Sequence, residues 1–183
     1  LHELKAGLFF IWSNHIVYVA YFLLFIALSA LAAISVLAVG YAELLNISGR
    51  NFGLLVVCAG FGMALGIAWI ARIESLIKKK YFLIESGFVI CGLSLIAIAL
   101  APNVYLACFA IFILGFGNSF ISSSIQAFLQ DFVPEEMRGR VFGVQNMFVS
   151  LAFALPAVLA GYLADIFSIR VIFGAMGVGI MLV

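Results

Sequence analysis

QAFLQDFVPEEMRGRVFG, running from Gln126 to Gly143, is a dense polar knot between two long apolar runs. Behind it, Ser86 to Gln130 contains no Asp, Glu, Lys or Arg, and ahead of it neither does Val141 to Ala164. Inside the knot Pro134 ends one helix, because proline has no N–H to donate and biases the residue before it away from helical angles. Glu135 and Glu136 then stand where a new helix N-terminus favours negative charge, and Arg138 and Arg140 follow within a turn. A short charged turn between two uncharged spans reads as the corner of a membrane hairpin at the headgroup level. Its arginines put that corner in the cytoplasm.

Composition agrees. The chain is 67% hydrophobic and 9% charged, far from the globular averages of roughly a half and a quarter, and its mean hydropathy is +1.30. So few charges do not cover the surface of a soluble domain. A net charge of +1 offers nothing to nucleic acid, and no basic run alternates with aromatics. Cys58, Cys91 and Cys108 all lie in apolar runs, with no CxxC or Cys/His spacing that points to a metal or a disulfide. They read as small buried hydrophobes, and no cofactor is implied.

The apolar runs divide into six spans at about 17–40, 52–71, 82–101, 104–130, 141–164 and 171–183, the last truncated, so the chain reads as a piece of a longer protein. Leu1 to Asn14 reads as an amphipathic lead-in helix with Trp12 as an interfacial anchor. Ser86 to Gln130 would measure about 68 Å as one helix, more than twice the hydrocarbon thickness, so it folds back at Pro102-Asn103. In the second span, Gly60, Gly62 and Gly66 lack the strand and acidic partner of a dinucleotide site. They suit close helix packing instead. Alternating the sides groups Lys5, Arg72, Lys78, Lys79, Lys80, Arg138 and Arg140 on one face, within the lead-in and the basic loops 72–80 and 131–140. Only Arg50 and Arg170 fall opposite. The basic loops are therefore expected in the cytoplasm, and the fold class is all-α, a polytopic transmembrane helix bundle.

The Gln126–Gly143 knot, followed by a small-residue span closing on PAVLAGYLAD (156–165), resembles the tenth and eleventh helices of bacterial exporters of the major facilitator superfamily, in its drug-efflux and siderophore-exporter branches. The resemblance covers essentially the whole chain. It implies the C-terminal half of a twelve-helix secondary transporter, in a bacterial inner membrane, with substrate held near the midplane against an N-terminal half absent here. The family's Asp-Arg-x-Gly-Arg-Arg loop core corresponds to Glu74-Ser75-Leu76-Ile77-Lys78-Lys79, which keeps the acid and the basic pair but not the Arg and Gly. Proton-driven export of a drug-like or amphipathic small molecule is the leading expectation. Metabolite uptake or exchange, and a non-transporting receptor or assembly subunit, are the alternatives.

Gly115, Asn118, Ser119, Ser122, Ser123 and Gln126 form a polar stripe at helical spacing on the fourth span. Such groups face protein or water rather than lipid. Interhelical hydrogen bonding and the wall of a substrate cavity are both open readings, and the resemblance adds weight to the wall. Gln145, Asn146 and Ser150 on the fifth span, and Tyr21, Phe25 and Ser29 on the first, are further candidates for that wall. The 19 phenylalanines suit an apolar cavity, but bulk facing lipid accounts for most of them. Glu74, Lys78, Asp131, Glu135, Arg138 and Arg140 are candidates for a cytoplasmic latch, against the plainer reading of solvated turns. Glu85, just inside the third span, reads as a salt-bridge partner of Lys78–Lys80, and His15 as an interfacial histidine rather than a proton relay. Ser123, Asp131 and His15 are scattered, with no nucleophile elbow and no ligand spacing, so no enzyme is expected.

Overall fold

The computed structural model describes residues 2–45, 52–73 and 80–182, with side chains described over 8–45, 52–72 and 81–182. Among these residues the structure is helical, with no strand: α1 (His2–Ser13), α2 (His15–Leu44), α3 (Gly53–Ile73), α4 (Lys80–Leu100), α5 (Val104–Phe132), α6 (Glu135–Ile166) and α7 (Ile169–Met181). α2 to α6 are each long and apolar enough to cross a bilayer. As described, α7 has 13 residues, about 20 Å of helix against the ~30 Å of a hydrocarbon core.

The turns fall where backbone chemistry puts them. Asn103 caps α5, its Oδ1 accepting from the Leu106 amide at 3.0 Å, directly after Pro102. Pro134 stands at the N-cap of α6, with Glu135 and Glu136 in the first turn. The 131–140 stretch is not a loop: α5 runs through Phe132, and only Val133 and Pro134 leave the helix. One proline is enough to turn the chain, so the charges on either side stay helical. Pro156 lies inside α6 without ending it. The helix α2 also runs past its apolar stretch to Leu44, because Tyr41 is buried there, donates to the Ile98 carbonyl and meets Phe173 edge-on at 5.4 Å.

α5 is the central helix, with α3 on one side, α4 on another and α2 across it. Lipid gives helices no hydrophobic reason to associate, so close backbone contact has to supply the attraction. Gly62 lies against the Phe112 carbonyl, Gly66 against Ser119, and Gly115 against the Ala59 carbonyl. A β-carbon at any of the three would overlap its neighbour. Gly60, by contrast, faces open space. On α4, Gly87 approaches Gly117 and Ile121 of α5, and Gly92 and Gly177 join α4 to α7. α6 packs on α2 and α1, and the Tyr21 hydroxyl donates to the Val141 carbonyl at 3.2 Å while its ring meets Phe148 at a tilt, centroids 5.5 Å apart.

Replacing Gly115 by Ala should therefore lower thermal stability by an overpacking cost of about 1–3 kcal/mol. Gly179→Ala, whose β-carbon meets nothing within 4 Å, should melt like the parent in detergent. Equal melting temperatures for the two variants would refute the packing assignment.

Candidate functional site

The polar stripe of α5 divides by direction. Asn118 is fully buried, and its Nδ2 donates to the Ala27 carbonyl of α2 at 2.6 Å. Its Oδ1 accepts from the Ser122 hydroxyl at 3.2 Å. Ser119 is buried against Gly66 of α3, and its hydroxyl returns to the Phe116 carbonyl of its own helix at 2.7 Å. Ser122 and Ser123 are half-buried, and Gln126, one turn further on, is exposed. Of the sequence alternatives for this stripe, interhelical bonding is what Asn118 does here.

On α6, Asn146 and Ser150 are exposed, the serine returning its proton to the Asn146 carbonyl at 2.9 Å. Gln145 is buried, and its carbonyl oxygen has no hydrogen-bond donor among the described residues. A buried amide oxygen without a donor costs on the order of 1–3 kcal/mol. On α2, Ser29 bonds the Phe25 carbonyl at 2.7 Å and Phe25 is half-buried, while Tyr21 is committed to Val141. Hydroxyls that bond back to their own helix are satisfied without a neighbour, and this is how serines survive at membrane depth.

At the corner, Arg138 closes the end of α5. Its Nε and Nη2 donate to the carbonyls of Val133 at 3.2 Å and Gln130 at 2.8 Å, and its Nη1 lies 3.5 Å from Glu135 Oε1. A cation on the exposed carbonyls of a helix C-terminus also opposes the helix dipole. Arg140 reaches Met137 Sδ at 3.8 Å, and Arg140 and Asp131 each make a further interaction. Glu74 and Lys78, with the rest of 74–79, lie outside the described residues.

Two features escape sequence reasoning. Arg170, one of the two basic residues on the sparsely charged face, donates through Nη2 to the Ala101 carbonyl at 3.3 Å, closing the end of α4 beside Tyr41. Its position against the charge bias was the signal. In addition, His15 and Glu85 line one apolar cavity of about 550 Å³ with Tyr81, Phe88, Phe128 and Ile180, between α2, α4, α5 and α7. The α5 residues in it are Ile125 and Phe128, so it is separate from the polar stripe.

Residues 17–183 match the family model for the Major Facilitator Superfamily. The chain belongs to that superfamily. This major facilitator chain is 29% identical over 115 residues to the gentisate transporter of Corynebacterium glutamicum, covering 63% of the chain and 26% of that relative. It is 31% identical over 131 residues to the major myo-inositol transporter IolT of Bacillus subtilis, covering 69% of the chain and 27% of that relative. It thus matches about a quarter of the length of these curated relatives. It is a multi-pass membrane protein of a family of transporters rather than enzymes.

Asn118→Ala should weaken the α2–α5 contact of this bundle by about 0.6–1.7 kcal/mol, the range for interhelical hydrogen bonds in membranes, read as a lower midpoint in denaturing detergent. Ser119→Ala, which breaks only a bond within α5, should change the midpoint less. The reverse order would refute the link.

Proposed function

We propose that this chain is the C-terminal half of a secondary active transporter that moves a small hydroxylated organic metabolite by alternating access against an N-terminal six-helix half. The observation that carries the reading is polarity on open faces. Gln126 of α5 and Asn146 and Ser150 of α6 are exposed on helices whose other open positions hold residues such as Phe109, Leu151, Phe153 and Leu155. Amides do not face lipid, so these groups belong to an aqueous cavity or to a partner helix. The Gln145 oxygen, buried one residue before Asn146 and without a donor among the described residues, calls for one from the same source. Ser122 and Ser123 extend the wall towards the bundle, with Asn118, Ser119, Tyr21 and Ser29 supporting it from behind.

Cargo class rests on the named relatives. Gentisate and myo-inositol are both small and hydroxylated, which favours a metabolite over the amphipathic, drug-like cargo that the exporter resemblance implied. Hydroxyl groups are what amide and serine side chains recognise. Direction and coupling ion follow from the whole protein. Proton-driven export and uptake or exchange are separated by flux measurements.

The N-terminal half docks on α3 and α6. Gly60, Ala64 and Ala68 leave an exposed small-residue stripe at helical spacing on α3, which admits a partner backbone closely. The basic residues face the cytoplasm. Asp131, Glu135, Arg138 and Arg140, with Glu74 and Lys78 of the preceding basic segment, act there as a latch on one of the two access states.

The test uses the full-length protein in cells, with radiolabelled aromatic acids, polyols and lipophilic dyes, with and without a protonophore. Metabolite flux that depends on the protein is expected, and Gln126→Ala and Asn146→Ala should raise KM by roughly two- to tenfold, the loss of one hydrogen bond. Protein-dependent movement of the dyes alone would replace this reading with drug export. For the latch, Arg140→Ala should slow transport at unchanged membrane insertion, and unaltered transport in that variant would remove Arg140 from the gate.

A further inference from the structure

The three cysteines, equivalent in sequence, are not equivalent in the fold. Cys91 is buried on α4, and its thiol donates to the Leu114 carbonyl at 3.7 Å. Cys58 on α3 and Cys108 on α5 are only half-buried, and the two thiols are close enough to interact. The two helices run parallel, each entering from the end opposite Arg72, Arg138 and Arg140, and each cysteine lies in its helix's second turn. One turn further along each helix, Gly62 lies against the Phe112 carbonyl, and Ala59, the residue after Cys58, lies against Gly115. A disulfide needs Cα atoms about 5–6 Å apart, and the close α3–α5 approach one turn away favours that spacing at Cys58 and Cys108.

We propose that Cys58 and Cys108 form an oxidisable dithiol that closes to an interhelical disulfide, stapling α3 to α5 near the membrane end opposite Arg138 and Arg140. The oxidant is a disulfide, either a small molecule or a thiol oxidoreductase. One cysteine, as thiolate, attacks a sulfur of the oxidant and expels one thiolate, leaving a mixed disulfide. The second cysteine attacks the protein sulfur of that mixed disulfide and expels the other thiolate. The two cysteine protons pass to the two leaving thiolates. The protein loses two electrons and two protons, and the oxidant gains both. The pair lies within two turns of the helix ends, and its half-exposure admits such a reagent where the fully buried Cys91 does not. On the orientation proposed above, this end faces the oxidising side of the membrane. The chemistry of the pair does not depend on that placement.

The staple crosses α3 and α5 within one half of the transporter. It would thus stiffen the helix pair that carries the polar stripe without bridging the two halves.

The test treats full-length protein in membranes with dipyridyl disulfide and maps the unreduced peptides by mass. The expected result is a Cys58–Cys108 linked peptide pair, lighter by two hydrogens than its components, with two pyridinethiones released per pair and no pyridyl group kept on either cysteine. Dithiothreitol should reverse it. In Cys58→Ser the linkage should vanish and Cys108 should keep one pyridyl group. If that variant does not insert, the wild-type map decides by itself. Separate pyridyl labels on Cys58 and Cys108, no reaction at either, or a linkage to Cys91 would each overturn the proposal.

Discussion

The distance at which α3 and α4 can approach α5 governs the rest of this bundle. In a bilayer the tails are as apolar as the side chains, so helices gain little by hiding leucines from lipid. The attraction has to come from dispersion between backbones and from the few polar groups that reach across. Gly62, Gly66 and Gly115 bring α3 onto α5, and Gly87 brings α4 there from another side. Once those contacts are made, the rotation of α5 is set. Asn118 then points at Ala27 of α2, and Gln126 points away from the bundle.

Helix ends are the second constraint, because the last carbonyls of each helix have no partner within it. Here neighbouring helices supply the donors. Arg138 of α6 closes α5, while Tyr41 of α2 and Arg170 of α7 reach the last turn of α4 and the carbonyl beyond it. These bonds tie helices together at both ends of the bundle, and they give Arg170 a structural reason to stand on the face with few positive charges.

What the packing leaves open is equally specific. α3 and α6 each keep a broad uncovered face that holds large apolar side chains, including Phe61 and Trp69 on α3 and Leu155, Val158 and Tyr162 on α6. Interspersed on these faces are Gly60, Ala64, Asn146 and Ser150, groups that lipid neither requires nor solvates.

The sequence by itself determined that the chain is a membrane bundle, because uncharged runs of spanning length and a proline between them are local properties. It determined the corner as well: Pro134, the acidic pair and Arg138 need only their own neighbours to form the turn and the carbonyl clasp. The family was legible in the same stretch. Tertiary structure alone decided which polar residues of α5 look inward. Periodicity places Asn118, Ser122 and Gln126 on one stripe, but only the position of α2 separates a buried amide from an exposed one. It also decided that Gly62 and not Gly60 is a contact, that His15 and Glu85 share one cavity wall, and that Cys58 faces Cys108. Helical spacing says which residues share a face, whereas what meets that face depends on partners remote in the chain.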